Sequence, residues 1–342
     1  MKMTVMNVVS RRLLIPAAAT AAAALSLTTL SACSSAGAGA GNTDKFDVVA
    51  SFYPMAFLAE QIGGDHVNVT SLTEPGQEPH DLEISAKQTA QLQESDAVLY
   101  VKELQPAVDE AVAQSEVKTK IDAAALTKLE DHGDLEDSHE HEGEEGHSEE
   151  PAEEHSEEHS EEPAEEEEHT LDPHIWLDPV KYAEVAEGVA KAFEKADPDN
   201  AADYKKNAEA LVKKLDDLNT QFTDGLKNTR TKVFFTNHAA FGYLAERYGL
   251  TMEAISGLDP ESEPSPARIK ELQEEAKADG VTTVFYETLV SDKTAKTLAD
   301  DAGLKTDVLD PIEGITEKSR GDDYFAVQEA NLKALQTALG AK

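Results

Sequence analysis

One cysteine, one tryptophan and only 30 basic residues in a chain of 342 set the first limits. A lone cysteine closes no intrachain disulfide, so the mature fold is not stapled in that way. Lys and Arg are outnumbered by 68 Asp and Glu, giving a net charge of −38. A nucleic-acid backbone needs a basic face, so DNA and RNA are excluded as partners. The chain also lacks G-x-x-x-x-G-K-[ST], the loop that cradles nucleotide phosphates, so any ATP hydrolysis coupled to its function belongs to another polypeptide. Aromatic residues make up 6% of the chain, yet the 40% apolar content suffices for real cores, and the length fits two domains with appendages.

What is present is unevenly placed. Residues 130–169 hold 21 of the acidic residues and no Lys or Arg; removing their charge from −38 leaves −17, ordinary for an acidic soluble protein. Such a concentrated field attracts cations. The first 33 residues form an export signal: Lys2, Arg11 and Arg12 precede the apolar run LLIPAAATAAAALSLTTL. That run also approaches membrane-spanning length. The sole cysteine decides between a retained span and a cleaved signal. LSAC, ending at Cys33, resembles a bacterial lipobox, in which the cysteine is lipidated and becomes the new N-terminus. Residues 34–44, rich in Ser, Gly and Ala, then form a flexible tether. The chain is expected to be exported, by Sec or Tat, and held by a lipid on Cys33 at the extracytoplasmic face of a membrane.

From Phe46 onward β-branched runs alternate with helical patterns. FDVVASFYP reads as a strand running into a turn at Pro54, and VNVTSLT, DAVLYV and VKTKIDAAAL contribute further strands, with MAFLAEQIGG, ISAKQTAQLQES and LQPAVDEAVAQS as the helices between them. The alternation returns after residue 229 with KVFFT, TMEAISG, VTTVFYE and KTDVLDP, and a closing helix ends the chain. NAADYKKNAEALVKKLDDLNTQFTDGL between them predicts one long helix of roughly 40 Å. The expected fold is α/β: two lobes, each a mostly parallel sheet flanked by helices, joined by one long rigid helix. The N-terminal lobe is expected over 45–199, the connector over 200–228 and the C-terminal lobe over 229–342. Residues 131–169, with SEEPAEE at 148–154 and again at 160–166, offer almost nothing to bury and read as a disordered insertion.

Four of the eleven histidines lie outside that insertion. His66 has no special setting and reads as surface. His80 in EPGQEPH, His174 in LDPHIW and His238 in FFTNHAAF each lie where a loop leads into a helix. In open α/β sheets, ligands bind beyond the carboxyl ends of the strands. Three imidazoles delivered there suit zinc, with a carboxylate or water completing a tetrahedron. A helix N-terminus would disfavour the charged ring and help keep it neutral. Asp310 in DVLDPIEG is the expected fourth ligand, with Glu287 in VFYETLVS as competitor and water as a further option. A turn-forming role before Pro311 accounts for Asp310 equally well.

PGQEPHDLE, DPHIWLDP, NHAAFGYLAERYGL and VLDPIEG, together with the lipobox, resemble the zinc/manganese solute-binding lipoproteins of ABC transporters. The resemblance implies two α/β lobes around a long rigid helix, with metal held between the lobes. Carried over by motif, the ligands would be His80, His174, His238 and Asp310. Manganese-directed relatives often place a carboxylate at the position of His238, so the third imidazole favours zinc. The implied partners are a membrane permease and a separate ATPase subunit, with the receptor itself monomeric. The chain departs from some zinc members in lacking a cysteine pair in the C-terminal lobe, which bears on a disulfide and not on the site.

The insertion carries His132, His139, His141, His147, His155, His159 and His169 among carboxylates. It reads either as a solvated spacer or as a weak multivalent zinc trap that raises local metal concentration. HSEEH at 155–159 matches a metalloprotease helix pattern, but a tandem repeat without an apolar face explains the match. A transport receptor that catalyses no reaction is therefore the leading reading. A manganese-directed receptor, a zinc hydrolase and a surface adhesion or zinc-buffering lipoprotein are the alternatives.

Overall fold

The computed structural model describes residues 45–132 and 171–342. The export signal with Cys33, the tether, and His139, His141, His147, His155, His159 and His169 lie outside the described residues.

The N-terminal lobe is built on β1 (Phe46–Ala50), β2 (Val67–Ser71), β3 (Ala97–Tyr100) and β4 (Thr119–Asp122), all parallel in the order β2-β1-β3-β4. Parallel strands need crossovers, and α1 (Tyr53–Gly63), α2 (Ala86–Glu94) and α3 (Pro106–Gln114) supply them. Local chemistry fixes the helix starts. Ser85 and Gln88 form a reciprocal capping box on α2. Asp178 caps α4 (Pro179–Ala196) by accepting from the Val180 N–H, with Pro179 at the first helical position.

The 26-residue helix α5 (Ala201–Leu226) then runs about 39 Å. Tyr204, Ala208, Leu211, Leu215, Leu218, Phe222 and Leu226 recur every three or four residues and form its buried stripe. It packs on α1 and α4. The same helix also meets the last helix of the C-terminal lobe, so it joins the two lobes as the sequence leads one to expect.

The C-terminal lobe repeats the plan with β5 (Val233–Thr236), β6 (Thr251–Ala254), β7 (Thr283–Tyr286) and β8 (Lys305–Val308), parallel in the order β6-β5-β7-β8. Its helices are α6 (Gly242–Tyr248), α7 (Pro266–Ala278), α8 (Lys293–Ala302) and α9 (Tyr324–Leu339). Gly249 ends α6 at φ +62°, a left-handed stop that costs glycine little. The run HAAFGYLAERYG reads from sequence as a helix beginning at His238; the structure starts it at Gly242, leaving His238 in the preceding turn.

One apolar core runs through both lobes. Phe57 of α1 stacks on Tyr324 of α9 at 5.4 Å between ring centroids, and Trp176 meets Phe52 edge-on at 4.9 Å. No helix among the described residues is long and apolar enough to cross a membrane.

Candidate metal centre

The loops after β2, β5 and β8 and the segment that follows the insertion converge between the two sheets. They bring His80, His174, His238 and Glu313 together, with one donor atom from each lying within 4.8 Å of all the others. Glu313 Oε1 stands 3.3 Å from His80 Nε2 and 3.6 Å from both His174 Nε2 and His238 Nε2. The last two nitrogens are 3.4 Å apart. Donors about 2.0–2.1 Å from the centre of a tetrahedron stand about 3.3–3.4 Å from each other. The cluster therefore has close to the dimensions that a four-coordinate zinc ion requires. Glu313 Oε2 is buried with no hydrogen-bond partner among the described residues.

Two of the three imidazoles are aimed from behind. Asp172 Oδ1 accepts from the backbone N–H of His174 at 2.9 Å and lies 2.8 Å from its Nδ1. A proton on Nδ1 leaves the Nε2 lone pair directed into the cluster. Glu287 Oε1 does the same for His238 Nδ1 at 2.5 Å. The His80 loop is tied by Glu78, whose two carboxylate oxygens accept from the backbone N–H groups of His80 and Asp81. His174, His238 and Glu313 are buried, whereas the His80 side chain keeps 11% of its surface exposed.

The electrostatics differ from the sequence expectation of rings kept neutral by helix ends. Burial works against charge on His238, but the charges of Glu287 and Glu313 and the hydrogen bonds to them outweigh it and push its pKa up to about 10. Burial likewise opposes charge on His174, and the hydrogen bonds with Asp172 and Glu313 overcome it, raising that pKa too. Burial would raise the Glu313 pKa, yet hydrogen bonds from His174, His238 and His80 hold it well below the usual carboxylate range. Carboxylates in direct contact outweigh a helix dipole that is several residues away.

Asp310 is not in the cluster. Its Oδ1 accepts from the Ile312 N–H at 2.8 Å and its Oδ2 from the Thr288 hydroxyl at 3.2 Å. Burial, only partly offset by these bonds, raises its pKa to about 6. It builds the turn that presents Glu313: Ile312 sits at φ +59°, a left-handed conformation rare for a β-branched residue. Glu287 backs His238 and does not join the donor group. Glu313 had one sequence signal, its place three residues after Asp310 in the same turn.

His66 lies away from the site, 2.9 Å from Asp203 near the start of α5. His132, grouped by sequence with the insertion's exposed histidines, is instead packed, with Nδ1 2.9 Å from Asp172 and Nε2 3.3 Å from Glu246. Burial opposes its charge, but these two carboxylates hold its pKa above the ordinary histidine value. The ends of the insertion meet, since the Asp172 N–H donates to the Glu130 carbonyl oxygen at 2.9 Å.

Residues 48–338 match the model of a family described as zinc-uptake complex component A, periplasmic. The zinc-binding lipoprotein AdcA of Streptococcus pneumoniae is 37% identical over 298 residues, covering 85% of this chain and 55% of that protein. The chain thus spans about half the length of the AdcA relatives it matches. The high-affinity zinc uptake system protein ZnuA of Bacillus subtilis is 36% identical over 305 residues, 87% of this chain and 89% of that one. Among solved structures, the Zn(II)-bound ZnuA-like domain of S. pneumoniae AdcA aligns with a TM-score of 0.67 at 34% identity, covering 86% of this chain and 99% of that domain. The laminin-binding protein of Streptococcus agalactiae, described as an adhesin with metal-transporting activity, aligns with a TM-score of 0.70 at 30% identity over 86% of this chain and 99% of that one.

Proposed function

The chain belongs to the zinc-uptake complex component A family, and from that premise we propose that it is an extracytoplasmic receptor that captures Zn2+ and delivers it to an ABC-type importer. The carrying observation is that three imidazole nitrogens and one carboxylate oxygen lie within 4.8 Å of one another, with Glu313 Oε1 3.3–3.6 Å from all three nitrogens and the His174 and His238 nitrogens 3.4 Å apart. His80, His174, His238 and Glu313 are the proposed ligands. Three nitrogens with one oxygen suit zinc better than manganese, which prefers oxygen-rich, octahedral surroundings. The receptor catalyses no reaction. It works as a monomer, tethered by a lipid on Cys33, beside a permease driven by a separate ATPase subunit. His139, His141, His147, His155, His159 and His169 form a weaker, faster-exchanging zinc trap.

Zinc titration of a soluble form beginning at Ser34, with and without residues 133–169, tests this reading. These boundaries leave His132 in its packed position. One tight site should survive the deletion, and only weak sites should be lost. Disappearance of tight binding with the insertion would overturn the assignment.

A second reading follows from the laminin-binding relative. An adhesive role predicts saturable laminin binding by the same soluble form; its absence removes that reading and leaves the transport reading intact.

A further inference from the structure

His132 is the second residue of the insertion, yet it occupies a built seat. Its ring stands edge-on to Tyr243 at 4.5 Å between centroids, and only 16% of its side chain is exposed. Beneath it lies Gly242, the first residue of α6. A Cβ at that position would come within 2.4 Å of the Cβ and Cγ of His132, close to the backbone where neither residue can yield cheaply. The seat therefore requires glycine at 242. Tyr243 fixes the surroundings further: its hydroxyl donates to the Asp172 carbonyl oxygen at 2.7 Å and accepts from the Glu130 N–H at 2.9 Å.

The contact that matters is with Asp172, a wholly buried carboxylate. Its Oδ1 serves His174, and its Oδ2 takes His132 Nδ1 at 2.9 Å. A buried carboxylate that loses a donor is costly to keep and free to turn toward another partner. Turning Asp172 would release the Nδ1–H of His174 and, with it, the aim of Nε2. Glu246 completes the chain at His132 Nε2, 3.3 Å away on the outer side.

We propose that His132 is a positioning residue of the zinc site: seated on Gly242 and paired with Asp172, it fixes the carboxylate that aims His174 at the metal. The inference rests on the reading of the cluster as the zinc site. It separates His132 from the other histidines of the insertion, because its effect falls on the tight site.

The test uses the soluble chain from Ser34 with the insertion intact. Zinc affinity is measured by competition with a chromophoric chelator, the site's geometry by Co2+ absorption, and stability by melting of the metal-free protein. His132→Ala should weaken the tight site about 10- to 100-fold, the usual effect of losing a partner behind a ligating histidine. His132→Asn can place an amide N–H where Nδ1 stands and should recover most of the affinity. His132→Gln reaches toward Glu246 instead and should not. Gly242→Ala, which evicts the ring, should behave like His132→Ala, and both should alter the Co2+ spectrum. Wild-type affinity in His132→Ala, with only its melting temperature lowered, would make the role merely structural and overturn the inference. So would rescue by Gln and not by Asn. His174→Ala is the control: if it too binds zinc like wild type, the reading of the cluster fails and the inference with it.

Discussion

The indole N–H of Trp176 donates to the carbonyl oxygen of Pro311 at 2.7 Å, bridging 135 residues of sequence and the two lobes. Trp176 follows the proposed ligand His174 by two positions, and Pro311 precedes the proposed ligand Glu313 by two. The bond therefore sets the spacing of two donors that come from different lobes. Trp176→Phe keeps an aromatic ring in the core but leaves a buried carbonyl without this donor. Urea denaturation of the metal-free protein should show a loss of about 1–3 kcal/mol. Zinc affinity should change less than about tenfold, because Asp172 still holds His174.

The same residue offers a direct report of site occupancy. Trp176 is the only tryptophan, and its ring lies 5.1 Å from that of His174. Zinc bound in the cluster should alter its emission with a one-to-one endpoint. Metal bound only by the insertion should leave the emission unchanged.

Glu313 and Asp310 share one turn and divide its labour. Glu313→Gln removes the anionic donor and should weaken zinc binding by more than about 100-fold. Asp310→Asn keeps an acceptor for the Ile312 N–H and should have a small effect. Asp310→Ala frees that N–H, lets Ile312 leave its left-handed conformation and should cost an intermediate, roughly tenfold, loss through misplacement of Glu313. Equal losses in Glu313→Gln and Asp310→Asn, read by chelator competition, would contradict this division.

The three imidazoles were legible because each stands in a loop punctuated by Pro or Asn after a strand or before a helix, where an α/β sheet gathers its ligands. The fourth donor of the cluster was not. VLDPIEG places two carboxylates in one turn, and which of them faces the cleft depends on a backbone angle at Ile312 that no spacing rule reveals. His132 was grouped with the insertion because its sequence neighbours are acidic. Its packing depends on Gly242 and Tyr243, more than a hundred residues away. The two sheets and α5 were readable from periodicity, since the alternation of period 2 and 3.6 is local.

A second tie between lobes joins Asp178, the cap of α4, to Arg247 near the end of α6. The guanidinium meets the carboxylate at 2.6 Å through Nη2 and at 2.9 Å through Nε. Asp178 is buried while Arg247 is 34% exposed, so removing the arginine strands a carboxylate that water reaches poorly. Arg247→Met should cost about 1–3 kcal/mol, less than a fully enclosed pair. The double variant Asp178→Asn/Arg247→Met should regain part of that loss, because Asn still caps α4 and leaves no orphan charge. A double variant no more stable than Arg247→Met would rule out the stranded charge as the cause.

Zinc must displace protons to enter the cluster. His238 has a pKa of about 10 and that of His174 is also raised, whereas Glu313 is held ionised by its three histidine neighbours. Near pH 7.5 the metal-free site thus carries a proton on His238 that zinc must displace. Binding should release about one proton per ion, read by calorimetry in buffers of different ionisation enthalpy, and affinity should rise with pH between 6.5 and 8. The sign for stability is opposite. A folded pKa above the ordinary histidine value means that this proton's contribution to the metal-free fold is fully present below about pH 6.5 and is lost as pH rises through about 10. Glu287→Gln removes the nearest charge behind His238, so it should lower that pKa and reduce proton release. Release unchanged from wild type in Glu287→Gln would show that the proton resides elsewhere in the cluster.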